Sequence, residues 1–155
     1  MPFRPVSLIL HVSVSVGWFG AVLAYVAVAV VASTGGTPEA VRGAWTAMDV
    51  IGWWVLVPLS VATLVTGIAG TLGTGWGLGT HVWVRAKLAL TVVATAVLVA
   101  HMPSVSVQAR GIPPATAGHH GGPWSEILHA TGGLAVLGAA TAISFMKPWG
   151  KTGTG

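Results

Sequence analysis

Hydrophobic residues gather into four long blocks, separated by shorter stretches rich in glycine, proline and polar residues. Each block is close to the length of about 20 residues that an α-helix needs to cross a lipid bilayer. The pattern predicts four membrane-spanning helices at about residues 6–32, 50–72, 82–102 and 125–146. The polar stretch 103–123 is then an outer loop with little regular structure. The expected fold class is all-α: a polytopic membrane four-helix bundle that forms a single transmembrane domain over 1–155.

Local features refine the second helix. Thr37, Pro38 and Glu39 form a typical start, with a capping side chain, a proline at the first helical position and an acid in the first turn. The helix is therefore expected to begin outside the membrane. Pro58 removes one backbone hydrogen bond, which predicts a kink there.

Composition excludes a soluble globular protein. Charged residues make up 6% of the 155 residues and hydrophobic residues 54%, whereas a soluble domain carries about 25% charge. The absence of cysteine excludes disulfides, thiolate metal sites and covalent C-x-x-C-H haem attachment. Any metal chemistry must therefore use the six histidines.

The positive charges give an orientation. Four spans place both termini on one side of the membrane, and five of the seven basic residues fall on that side. They are Arg4, Arg85, Lys87, Lys147 and Lys151, whereas Arg42 and Arg110 fall on the other side. The positive-inside rule then predicts cytoplasmic termini, with Glu39, Asp49 and Glu126 facing outward. The net charge of +4 reflects this orientation, so no nucleic-acid partner is implied.

The histidines within the predicted spans fall into two depth levels. His101 and His129 lie near the outer ends of the third and fourth helices. Two imidazoles at one level on facing helices are what bis-histidine haem b requires. The alternative is that each histidine only hydrogen-bonds a carbonyl or its neighbour near the interface.

His11 and His81 form the inner level and offer a second, weaker haem pair. His81 is at headgroup depth, where a solvated histidine is the simpler interpretation. Arg85 could hold a haem propionate or a lipid phosphate. Lys87 could serve as a propionate partner, join a proton relay, or extend its ammonium group to the headgroups.

A copper site is the alternative to haem. His119 and His120, with His101 and Met102 nearby, could hold a copper or zinc ion at the outer surface. Exposed loop histidines more often bind nothing, so this hypothesis depends on convergence of the four side chains.

A set of residues spread over nearly the whole chain resembles a known pattern. They include His11, Gly17-Trp18, Gly52-Trp53, Pro58, Thr66-Gly67, Lys87, His101-Met102 and His129. The pattern resembles an uncharacterised family of four-helix bacterial integral membrane proteins that is common in actinobacteria. More loosely, it is similar to copper-resistance D-like proteins and the related protoporphyrinogen oxidase. In these relatives in-membrane histidines are associated with haem. The resemblance implies a bacterial plasma membrane protein in which His11 matches the first-helix histidine.

These observations predict a haem b cytochrome that transfers electrons in the membrane. One haem is bound by His101 and His129, and a second by His11 and His81. Quinol is the expected donor, a redox protein the expected partner and a homo-oligomer a possible assembly state. The alternatives are a copper-handling membrane protein and a structural or assembly subunit that needs no cofactor.

Overall fold

The computed structural model of the protein describes residues 3–72, 81–111 and 123–146, which are almost entirely helical. The elements are α1 (Phe3–Thr34), α2 (Pro38–Ile51), a π-helical segment (Gly52–Leu56), α3 (Val57–Leu72), α4 (Val82–Ala109) and α5 (Pro123–Met146). Across these residues, four stretches are long and apolar enough to cross a membrane. The prediction of an all-helical protein with four membrane-spanning helices is therefore confirmed.

The start of α2 is built as its sequence predicts. The Thr37 hydroxyl accepts a hydrogen bond from the Ala40 amide at 3.3 Å. Pro38 lies in the first turn together with Glu39. The cap satisfies one of the backbone amides that a helix start leaves without a partner.

The second span runs from Pro38 to Leu72 and changes its hydrogen bonding in the middle. The Val57 amide bonds to the Gly52 carbonyl, five residues back. Pro58 follows at once and has no amide hydrogen to donate. The sequence predicted a kink at Pro58, and in the structure the change of hydrogen bonding is a π segment that ends just before it.

α4 is longer than the sequence predicts. The predicted helix ended at Met102, and 103–123 was assigned to a loop, but the helix continues through Pro103 to Ala109. The assignment of 103–109 to the outer loop is therefore wrong. The Ser104 hydroxyl bonds to the His101 carbonyl at 2.6 Å, while Val105 is fully buried. Packing against neighbouring helices and serine hydroxyls allow a membrane helix to tolerate proline.

The helices form a bundle in which α1 packs against α2, α3 and α5, and α4 packs against the same three. Trp18, Tyr25, Met48, Met102 and Val105 are among the buried core residues. Many large apolar side chains point outward instead, as expected for a bilayer environment. We call the end where α1 begins and α4 starts the proximal end. The end where α1 and α4 finish and α5 starts is the distal end.

Candidate functional site

A buried acid lies at the centre of the distal end. Glu126, in the first turn of α5, is only 1% exposed. Its Oε2 lies 2.7 Å from Nε2 of His101 on α4. The Tyr25 hydroxyl on α1 donates to the same oxygen at 3.4 Å. The sequence places Glu126 on the outer side of the membrane, which stays a prediction; the structure adds that its side chain is directed into the bundle.

The contact between His101 and Glu126 involves one shared proton. It can reside on Nε2 of the imidazole and face a carboxylate, in which case the ring is an imidazolium only if Nδ1 is protonated as well, or it can reside on the carboxyl group and face a neutral imidazole. Either position of the hydrogen is compatible with the 2.7 Å separation of the two atoms. Such a pair can change its charge distribution without losing its structural contact.

His129 completes this group, which we call the distal cluster: Tyr25, His101, Glu126 and His129. The two imidazoles stack with centroids 4.1 Å apart and planes inclined by 18°. His129 Nδ1 lies 2.7 Å from the Ser125 carbonyl, which can only accept, so this nitrogen is the donor. The Nε2 of the neutral ring is then an acceptor. The structure thus brings together the histidine pair that the sequence singled out.

A second polar network lies at the same end. The Ser106 hydroxyl donates to Asp49 at 2.5 Å and accepts the indole hydrogen of Trp53 at 3.0 Å. It links α2 and the π segment to the extended part of α4. This part was predicted to be a loop, so sequence reasoning missed the network.

His11 is held at the proximal end. Its Nδ1 lies 3.0 Å from the Thr66 hydroxyl, whose own hydrogen goes to the Ala62 carbonyl at 2.7 Å. His11 Nδ1 is therefore the donor, and its Nε2 is left as an acceptor. A side chain at Gly67 would place its Cβ 3.2 Å from Cε1 of this ring.

Lys87 on α4 lies within electrostatic range of His11. All side-chain carboxylates of the chain belong to Glu39, Asp49 and Glu126, which lie near the distal end. The two proximal basic groups therefore have no acidic side chain nearby. His81 stacks edge-on against Trp83 with centroids 6.0 Å apart, and Arg85 is exposed.

Bis-histidine haem does not fit the described geometry of His101 and His129. The iron of such a haem lies between two ring nitrogens, which with bonds of about 2 Å places the centroids about 6 Å apart. The observed centroid separation is 4.1 Å, and His101 Nε2 is engaged by Glu126. The rings would have to separate to admit the porphyrin.

The predicted copper ligands are divided between two regions. Met102 is 1% exposed, and its thioether packs tightly against Gly52 in the core. His119 and His120 lie outside the described residues. Within 3–72, 81–111 and 123–146, no three His, Asp or Glu side chains converge on a point that could hold a metal ion.

Comparisons with protein-family models, with curated proteins and with solved structures find no match to this chain. The family resemblance noted in the sequence therefore stays a prediction. The four apolar helices indicate a multi-pass membrane protein whose surroundings are a lipid bilayer.

Proposed function

We propose that this is a proton-coupled membrane protein in which the distal cluster binds and releases a proton. The observation that carries the proposal is the fully buried Glu126 carboxyl group, hydrogen-bonded to His101 and Tyr25 inside a membrane-spanning bundle. Ionisable groups are costly in this environment, and Asp, Glu and His chains are the groups that form proton relays there.

The cluster has a gradient of exposure suited to proton exchange. His129 is exposed, the His101 side chain is 17% exposed and the Glu126 side chain is 2% exposed. A proton taken up by Nε2 of His129 can pass through water to Nδ1 of His101, while the hydrogen on Nε2 of His101 moves to the buried Glu126 carboxylate.

We further propose that both termini are cytoplasmic and that the protein resides in the bacterial plasma membrane. The five-to-two distribution of basic residues supports this orientation. The distal cluster then exchanges protons with the outer face. A single cysteine introduced by Glu39→Cys should react with a membrane-impermeant maleimide in intact cells, whereas Gly155→Cys should react only after lysis. The reverse labelling would overturn the orientation.

Infrared difference spectroscopy tests the proton-binding role directly. The purified protein in lipid nanodiscs is titrated, and the carbonyl band of a protonated carboxyl group is followed. We expect a band that changes with pH in the wild type and is lost in Glu126→Gln. Glu39→Gln is the matched control, since Glu39 is an exposed acid at the same end, and it should keep the band. A band that persists in Glu126→Gln removes Glu126 as the proton site.

A haem b cytochrome is the second candidate. It is favoured by the positions of His101 and His129 on neighbouring helices and by the bond from His129 Nδ1 to a backbone carbonyl. Histidine ligands commonly donate their second ring nitrogen in this way, which leaves Nε2 for the metal. The haem would supply electron storage, with quinol and a redox protein as partners, but ligation by both rings requires the stack to open.

Absorption spectra separate the two candidates. Protein purified from haem-replete cells is examined oxidised and dithionite-reduced, and the ratio of haem to protein is measured. A cytochrome gives sharp reduced bands that disappear in His129→Ala. A featureless wild-type spectrum removes this candidate and leaves the proton-binding proposal intact.

A further inference from the structure

Three buried polar atoms in the middle of the bundle have no hydrogen-bond partner among the described residues. They are the indole nitrogen of Trp18 on α1, the hydroxyl of Thr63 on α3 and the hydroxyl of Thr95 on α4. Their residues are 3%, 6% and 8% exposed. A buried donor without a partner costs about 1–3 kcal/mol in proteins, and lipid tails offer no partner at all.

The two threonines differ from other threonines in the helices. Thr66, Thr71, Thr91, Thr131 and Thr141 each donate to a carbonyl one turn back in their own helix. This is the usual way for a threonine in a membrane helix to satisfy its hydroxyl. Thr63 and Thr95 do not make this bond, so both hydroxyls are available to another group.

Their heights place these atoms between the two ends of the bundle. His11 and Tyr25 are fourteen residues apart on α1, or about 21 Å. Trp18 lies about 10 Å along this interval.

Thr63 precedes the His11 partner Thr66 by three residues, about 4.5 Å towards the distal end. Thr95 lies about 9 Å before His101 on α4.

We propose that Trp18, Thr63 and Thr95 hold a hydrated polar site in the middle of the bundle, and that its water links the distal cluster to His11. The Trp18 indole can only donate, so it orients water. The two hydroxyls can both accept and donate, so they can be members of a hydrogen-bonded chain. Each water molecule in such a site needs two to four polar partners, which these three groups and neighbouring water molecules would supply.

This inference deepens the proposed function, because a proton held on Glu126 would gain a route towards the acceptor nitrogen of His11. One proton enters the chain at one end and one leaves at the other. Each intervening oxygen accepts a hydrogen from one neighbour and gives one to the next, so no oxidant or reductant is required. The hydration itself does not depend on proton transfer.

Nuclear magnetic resonance of the protein in nanodiscs tests the hydration. Tryptophan side chains are labelled with 15N, and the Trp18 resonance is assigned by its loss in Trp18→Phe. We expect a cross peak between the Trp18 indole hydrogen and water. The cross peak should weaken at least twofold in Thr63→Val and in Thr95→Val, with Thr141→Val as the control. Absence of this cross peak in the wild type overturns the proposal.

Thermal unfolding provides a second measurement. Removing a hydroxyl that bonds to water should lower the Tm by about 2–4 °C in Thr63→Val and in Thr95→Val. A dry site predicts the opposite, because valine would replace a hydroxyl without a partner. A rise in Tm in both variants therefore overturns the proposal. If the water cross peak is present but Glu126→Gln leaves the infrared band unchanged, the proposed function fails while the hydrated site stands.

Discussion

His101 and Glu126 lie 25 residues apart in the chain, and Nε2 of the imidazole is 2.7 Å from Oε2 of the carboxyl group. The contact joins the distal part of α4 to the first turn of α5. It lies in a bundle where replacement partners are scarce. The pair therefore contributes to stability as well as to the proposed proton site.

Removal of either member of this pair should destabilise the protein. His101→Ala and Glu126→Ala should each lower the free energy of unfolding by about 2–4 kcal/mol, because the remaining partner is left without its contact. The double variant should lose less than the sum of the two. Unfolding in mixed micelles measures these values. Strictly additive losses would show that the two side chains are not coupled.

The Ser106 hydroxyl forms hydrogen bonds with two neighbouring side chains, so its removal should affect both of them. Ser106→Ala removes the donor to Asp49 and the acceptor for the Trp53 indole. The loss should be about 2 kcal/mol, because two polar groups lose a partner. Ser144→Ala is the matched control, since among the described residues the Ser144 hydroxyl bonds only to the Ala140 carbonyl of its own helix. Equal stability of the two variants would contradict the proposed network.

Gly52 permits the close approach of Met102. A Cβ at position 52 would overlap the thioether, and Met102 is fully buried. Gly52→Ala should therefore destabilise the protein by about 1–3 kcal/mol. Adding Met102→Ala should cost less in this background than in the wild type.

Gly43→Ala serves as the control for this substitution. Its Cβ meets nothing within 4 Å, and alanine favours a helix over glycine. Thermal unfolding of the single and double variants measures the coupling. An unchanged Tm in Gly52→Ala would mean that the methionine moves aside freely.

The ring of His11 limits the size of residue 67. Gly67→Ala places a methyl group 3.2 Å from Cε1, so the imidazole must shift and its bond to Thr66 should weaken. We expect a loss of about 1 kcal/mol and a changed 15N resonance of His11 Nδ1. Gly70→Ala on the same helix has open space at its Cβ and should leave that resonance unchanged. An unshifted His11 resonance in Gly67→Ala would refute the contact.

The sequence was sufficient for the four spans because each carries a long apolar run that few other structures accommodate. It failed for 103–109, where Pro103 and the polar residues after it are typical of a loop. The sequence pattern does not contain the tertiary contacts of this stretch. α2 packs against α4, and Ser106 donates a hydrogen bond to Asp49 on α2.

The candidate site was partly predictable for a similar reason. Helical rise alone placed His101 and His129 at one level, and their rings do meet. The contact of Glu126 with His101 was not predicted, because the height of a residue does not reveal which way its side chain points. Its direction depends on how α1, α4 and α5 are rotated about their axes, which no single helix pattern contains.

The π segment sets the rotational phase of the second span. Met48 before it and Ser60 after it are both fully buried. In an uninterrupted α-helix, residues twelve apart point about 120° away from each other. A π bulge accommodates one extra residue, so Met48 and Ser60 are oriented as if they were eleven residues apart, and the angle between them falls to about 20°. The bulge thus acts as a one-residue spacer. The number of residues between Met48 and Ser60 determines whether Asp49, before the bulge, and Thr63, after it, can both be directed towards the interior.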